Sequence, residues 1–214
     1  WNCDWSSDVC SSDLPGKKPT GWFAPDRKFP ELETIMNNDN TMIEWLEEFR
    51  GNDLDELCNA TEEAIIDGNG FGWLKSPQRQ VLENFWRGVL LVPQRRLVVA
   101  RLEGSIVGSA QFITPAANNE AGAFSVEMTT FFIAPWARGH NLGAGMMSVM
   151  VDQARAEGFR LFEFNVRATQ AAGIRLAEQM EFQLWATKEK YALVDGEFVA
   201  GYYYCKDLDT EAQE

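Results

Sequence analysis

Basic residues are scarce in this chain: 19 Lys and Arg stand against 32 Asp and Glu, for a net charge of −13. A surface this acidic excludes general binding to nucleic acid or to anionic membranes, both of which need positive charge. It suits a cationic or amine ligand, although acidity also serves plain solubility. No apolar run approaches the roughly 20 residues needed to cross a bilayer. No segment joins a basic start, an apolar stretch and a small-residue cleavage site, so a cytoplasmic protein is expected. Histidine occurs once, at His140, and the cysteines lack metal-site spacing, so no metal is expected. Internal repeats and low-complexity tracts are absent, which argues against an array or a linker-rich chain. Apolar character is plentiful: 45% hydrophobic and 12% aromatic residues are enough for one sizeable core.

The first fourteen residues stand apart. Asp4-Trp5-Ser6-Ser7-Asp8-Val9-Cys10-Ser11-Ser12-Asp13-Leu14 resembles the translation of a common sequencing adapter, and its polar, aperiodic composition does not favour a fold. The expectation is that residues 1–14 are an artefact and disordered; finding these codons in the genomic locus would overturn it. Their exclusion removes three of the 32 acidic residues and takes the net charge from −13 to −10. It also leaves only Cys58 and Cys205, far apart in sequence, which fits buried thiols in a reducing compartment.

Residues 15–41 are expected as an irregular lead-in and 209–214 as an acidic tail, with one domain over 42–208. Met42 to Phe49 fits a strand or a helix equally well. From Asp53, the spacing of Leu54, Leu57, Cys58, Thr61, Ala64 and Ile65 predicts a helix ending at Asp67-Gly68-Asn69-Gly70. A second helix is predicted after Ser76-Pro77, with Val81, Phe85, Val89 and Leu90 facing inward. Arg96 to Leu102 and Ile106 to Ile113 flank Glu103-Gly104-Ser105 as a hairpin. Phe124 to Ala134 reads as a strand. A helical stripe of Leu142, Met146, Met150 and Ala154 follows and stops at Gly158. Arg160 to Arg167 alternates as a strand, and Gln170 to Met180 reads as a helix. Closing strands are predicted at Phe182 to Thr187, Tyr191 to Val194 and Phe198 to Cys205, the last two joined by a turn at Asp195-Gly196. The fold class is therefore α/β (α+β): a mixed sheet of about seven strands with about four helices, and a right-handed crossover between Phe124 and Val166.

The most informative stretch runs from Phe131 to Met147. An apolar strand is stopped by Pro135, a turn holds Arg138 and Gly139, and an amphipathic helix begins near Leu142. That order builds a phosphate cradle, because glycines admit a ligand to the backbone and helix-start N–H groups attract anionic oxygens.

Ile133-x-Pro135-x-x-Arg138-Gly139-x-Asn141-Leu142-Gly143 resembles the acyl-CoA-binding signature of the GNAT N-acetyltransferase superfamily. The element order on both sides is similar to that family's from about Met42 to Leu208. Phe71 to Leu74, Val166 to Gln170 and the Tyr-rich closing strand resemble an uncharacterised bacterial branch. The resemblance implies a mostly antiparallel GNAT-like sheet, acetyl-CoA as co-substrate and an amine acceptor, either a small molecule or a protein amino group. It implies that backbone groups of Arg138, Gly139, His140, Asn141, Leu142, Gly143 and Ala144 hold the CoA pyrophosphate, and that Phe131, Phe132 and Ile133 pair with the pantetheine arm. Asn141 stands where glycine is usual and tolerates left-handed backbone. Gln170 stands where an asparagine often touches the cofactor. A homodimer is compatible with the pattern without being demanded by it.

Glu127, six residues before Ile133, resembles the catalytic glutamate of some members and is the candidate general base; it reads equally as a carboxylate on a solvent face. His140 lies in the phosphate turn, which favours cofactor contact or exposure over catalysis. The tyrosine that many members carry in the last helix is replaced here by Ala177, and Glu181 replaces the glycine beyond it. Tyr191, Tyr202, Tyr203 or Tyr204 remain as sources of a hydroxyl. The expected activity is acetyl transfer by direct attack. A catalytically weak acyl-CoA sensor and a nucleotide-binding α/β domain are the alternatives.

Overall fold

The computed structural model describes residues 35–37, 40–68 and 72–209. The expectations for residues 1–14, for most of 15–41, for Asn69-Gly70-Phe71 and for the tail beyond 209 lie outside those residues.

One eight-stranded sheet organises the described chain. In sequence order, β1 (Ile35–Asn37) and β2 (Thr41–Leu46) lead into α1 (Asp53–Ile66) and α2 (Arg79–Leu91). Then come β3 (Arg95–Leu102), β4 (Ser105–Ile113), β5 (Ser125–Ile133), α3 (Leu142–Ala156) and β6 (Leu161–Arg167). The chain finishes with α4 (Ala171–Gln179), β7 (Gln183–Val194) and β8 (Glu197–Asp207). The spatial order is β1-β2-β3-β4-β5-β6-β8-β7. Every neighbour pair is antiparallel except β5 and β6, which α3 connects in parallel. The mixed, mostly antiparallel sheet with four α-helices is the expected one, with the three-residue β1 as an added edge. Met42 to Leu46 resolves as strand, and no helix among the described residues is long and apolar enough to cross a membrane.

Local chemistry accounts for the elements. Asp53, Asp55 and Glu56 occupy the first turn of α1, where negative charge meets the positive end of the helix dipole. Arg101 ties that turn to the sheet through Glu44 at 2.6 Å and Asp53 at 2.9 Å. Glu103 and Gly104 both have positive φ, as do Asp195 and Gly196, which matches two-residue hairpin turns. The buried Trp86 donates its indole N–H to Thr61 Oγ1 at 3.0 Å, and Thr61 in turn donates to the Leu57 carbonyl at 2.6 Å. Such a chain leaves no polar atom of the indole unsatisfied.

Two details differ from the sequence reading. Helix α2 buries Leu82, Trp86 and Val89 and leaves Val81 exposed, because turning the helix to bury Trp86, its largest side chain, carries Val81 out to solvent. The last two short strand segments before the final turn are one strand, β7, whose pairing with β8 breaks register between Leu184 and Ala186 and between Lys188 and Ala192.

Candidate active site

Strands β5 and β6 are hydrogen-bonded neighbours for only part of their length. Ser125 to Met128 pair with Leu161 to Phe164, and there the ladder ends. β5 stays attached to β4 as far as Gly108↔Ile133, while β6 stays attached to β8 as far as Arg167↔Gly201. The two strands fork, each held by its outer neighbour. A bulge in β5 opposite Ser109 and Gln111 marks the start of the fork, with Thr130 in left-handed backbone at φ 50°. Bulges bend a strand and raise its twist, which turns β5 away from β6. Gly108 makes the bend feasible: a Cβ there would lie 2.6 Å from the Phe132 carbonyl oxygen and 2.5 Å from Ile133 Cδ1.

The fork opens a cleft of about 960 Å³. Thr129 to Ile133 line one side and Asn165 to Arg167 the other, and their facing edges carry no strand-to-strand partner across the gap. An extended ligand can add to such an edge by main-chain hydrogen bonds. One end of the cleft is closed by the turn that follows β5. After a short 3-10 turn at Pro135–Ala137 come Gly139 at φ 92° and Asn141 at φ 58°. Asn141 thus adopts the left-handed backbone that an asparagine tolerates. It is the N-cap of α3, makes no side-chain cap bond, and no acidic residue occupies the first turn. Among the described residues, neither the N-cap side chain nor a first-turn carboxylate accepts from the first-turn N–H groups, and the helix dipole makes such a start attractive to an anion.

The charge of the cleft agrees with that chemistry. Arg138, Arg167 and Arg175 line it, and no aspartate or glutamate is among the described lining residues, in a chain of net charge −13. Arg138 also donates to Asp67 at 2.8 Å, and Trp136 donates to Glu63 at 2.6 Å, so the turn is tethered to the C-terminal half of α1. The residues present fit a polyanion with an extended tail: a dipole and arginines for phosphates, and an unpaired strand edge for the tail.

The anticipated cofactor residues divide. Phe131, Phe132, Ile133, Arg138, Gly139, Asn141, Leu142, Gly143 and Gln170 line the cleft. Ala144 and His140 do not; His140 is exposed on the turn, so nothing in its position makes it a base. Gly72 and Leu74 line the cleft, while Trp73 packs edge-on against Phe85 at 5.1 Å.

Glu127 lies on β5 two residues before Thr129, paired with Ile113 on one side and Glu163 on the other. It sits just outside the cleft lining. Glu127 is exposed by surface area, yet desolvation by the surrounding chain is the largest cause holding its carboxyl above the ordinary range, with Glu163 adding to the rise and Arg95 opposing it. Glu163 accepts a bond from Ser125 Oγ at 2.8 Å. Ala177 is fully buried in α4 and brings no hydroxyl to the cleft. Of the four tyrosines, Tyr191 lines the cleft, whereas Tyr204 is buried and stacked on Phe164 at 5.4 Å. Tyr203 meets Trp185 edge-on at 6.0 Å. Asn165, Arg167 and Arg175 were not singled out in the sequence as site residues, since only the fold brings β6 and α4 against the phosphate turn.

A family model described as the acetyltransferase (GNAT) family matches residues 41–182. An uncharacterized N-acetyltransferase from the hisH–hisA intergenic region of Azospirillum brasilense is 46% identical over 128 residues, covering 60% of this chain and 76% of that protein. Among solved structures, the putative acetyltransferase yncA from Salmonella typhimurium, determined with its cofactor acetyl-CoA, aligns with a TM-score of 0.65 at 18% identity, covering 81% of this chain and 96% of that one. An N-acetyltransferase from Staphylococcus aureus Mu50 aligns at 0.67 with 20% identity, over 79% and 99% of the two chains. The solved structures share the fold described above. The chain belongs to the GNAT family of acetyltransferases.

Proposed function

We propose that this protein transfers the acetyl group of acetyl-CoA to a primary amine of a small molecule or a protein, by direct attack within a ternary complex in the cytoplasm. The observation that carries the reading is the fork between β5 and β6, closed at one end by an uncapped helix start and lined, among the described residues, by three arginines and no acid. In this reading the CoA pyrophosphate rests on the N–H groups of the turn and of α3, from Gly139 to Ala144. The pantetheine arm pairs with the edge of Phe131, Phe132 and Ile133, and Gln170 contacts it from the start of α4.

An ammonium cannot attack a thioester until it loses a proton, and Glu127 is the group we assign to accept it. A carboxyl raised above its ordinary range is a stronger base when ionised, which moves it toward the pH at which amines are transferred. Glu127 lies outside the cleft lining, so a bridging water carries the proton to it. The free nitrogen then attacks the carbonyl carbon, the developing oxyanion is met by a strand amide near Ile133, and the C–S bond breaks.

The absence of a hydroxyl at Ala177 favours a second reading, a CoA-binding sensor without turnover. Release of CoA thiol from acetyl-CoA over a panel of primary amines separates the two. We expect turnover with at least one amine and a loss of about 10²-fold or more in Glu127→Gln. CoA binding with no turnover for any amine contradicts the transferase reading.

A further inference from the structure

A thiolate expelled from a thioester accepts a proton, and the cleft offers few donors. Its described lining residues include three arginines, which do not give up a proton in a protein, and the Thr129 and Thr130 hydroxyls, which are far too weak as acids. Tyr191 is the remaining ionisable side chain of that lining.

Its placement is built by several features together. Between Lys188 and Ala192, β7 advances four residues while β8 advances two, from Gly201 to Val199, so Tyr191 lies on a bulge. The ring lies directly over Gly201, where a Cβ would come within 2.2 Å of Tyr191 Cγ, so only glycine leaves room for it. The hydroxyl donates to Asn165 Oδ1, on the stretch of β6 that has left β5. Strand bulge, glycine seat and amide acceptor all aim one phenol into the fork.

We propose that Tyr191 is the general acid of this enzyme, giving its phenolic proton to the CoA sulfur as the thiolate leaves. This rests on the transferase reading above. The N–C bond forms, the C–S bond breaks and its electron pair goes to sulfur, which takes the phenolic proton. The attacking nitrogen gives one proton to Glu127 beforehand and sheds its second as the amide forms. That second proton balances the one the tyrosinate takes back from solvent. Rotation about the phenol C–O bond turns the O–H away from Asn165 and into the cleft that Tyr191 lines. Burial holds the phenol above its ordinary range, Tyr203 adds to this, Arg167 opposes it and Glu127 adds again, so the proton is in place at neutral pH.

Tyr191→Phe keeps the ring on Gly201 and removes only the hydroxyl, so a melting temperature close to the parent's is expected. Two readouts follow. The first is the titration of bound CoA thiol, followed by the ¹³C shift of CoA labelled beside the sulfur. A donor facing the sulfur stabilises the thiolate, so its removal raises the midpoint by about one pH unit. The second is acetyl transfer: kcat falls about 10²-fold with KM for acetyl-CoA little changed. Equal thiol midpoints in parent and variant overturn the assignment. So does a kcat within about twofold of the parent. The titration needs CoA binding alone, so it reads Tyr191 even if no amine is turned over, a result that would count against the transferase reading instead.

Discussion

Gly143→Ala separates the cradle's binding role from its structural one, because the two predict opposite signs. Gly143 is the second residue of α3 and lines the cleft. A Cβ built there meets Phe131 Cζ at 3.5 Å and Leu176 Cδ2 at 3.6 Å, which is ordinary van der Waals contact, and its backbone is not left-handed. The fold therefore accepts alanine without strain. Replacing glycine by alanine in a helix at a compatible φ stabilises by about 0.5–1 kcal/mol, mainly by restricting the unfolded chain. For a domain of this size that raises Tm by about 1–4 °C. The new methyl group sits between Phe131 and Leu176, where a phosphate must approach the first-turn N–H groups. Each charge-assisted hydrogen bond lost costs about 1.5–3 kcal/mol, so CoA affinity should fall at least about tenfold. Thermal unfolding and calorimetric titration with CoA measure both. A higher Tm with weaker binding is expected. Unchanged affinity would place the phosphates elsewhere, and a lower Tm would mean that Gly143 serves packing instead.

Glu181 follows α4 with φ 59°, a conformation that suits glycine, and its carboxylate meets the ammonium of Lys206 at 3.7 Å while the side chain stays 82% exposed. Glu181→Gly should therefore raise stability by about 0.5–1 kcal/mol in urea unfolding, and a loss would show that the ion pair outweighs the strain. Thr61→Val leaves the buried Trp86 indole N–H without its 3.0 Å acceptor and should cost about 1–3 kcal/mol by the same measurement. kcat/KM for the amine should rise with pH as Glu127 ionises, with a midpoint above the free glutamate value of about 4.3. Glu163→Gln removes the like charge and should lower that midpoint; an unmoved acid limb would remove Glu127 from the role of base. The sign for stability is the reverse: a carboxyl raised in the fold contributes stability at low pH that is lost as pH climbs through its folded value, so Glu163→Gln should reduce that loss.

The strand–turn–helix from Ile133 to Leu142 was legible because each of its parts is local: Pro135 ends the strand, and Gly139 and Asn141 supply left-handed backbone. Both two-residue hairpin turns were legible for the same reason. The cleft itself was not. It exists because β6, after leaving β5 at Phe164, is held by β8, whose residues come about forty positions later. The bulge at Thr130 left no mark either, since a β-branched residue gives no hint of positive φ; Gly108 on the neighbouring strand was the available clue. The choice among four tyrosines turned on the register break in β7, which no alternation pattern reveals. Helix α2 shows a further limit, because periodicity finds the helix but not which of two adjacent apolar rows contains the side chain that must be buried.

Hydrogen–deuterium exchange in the presence and absence of CoA tests the central claim most directly. Binding in the fork predicts slower exchange for the amides of Phe131 to Ile133 and of Leu142 to Ala144, with the start of β7 from Gln183 to Thr187, which lies outside the cleft lining, little affected. Unchanged exchange across both stretches, with protection appearing elsewhere, would contradict it.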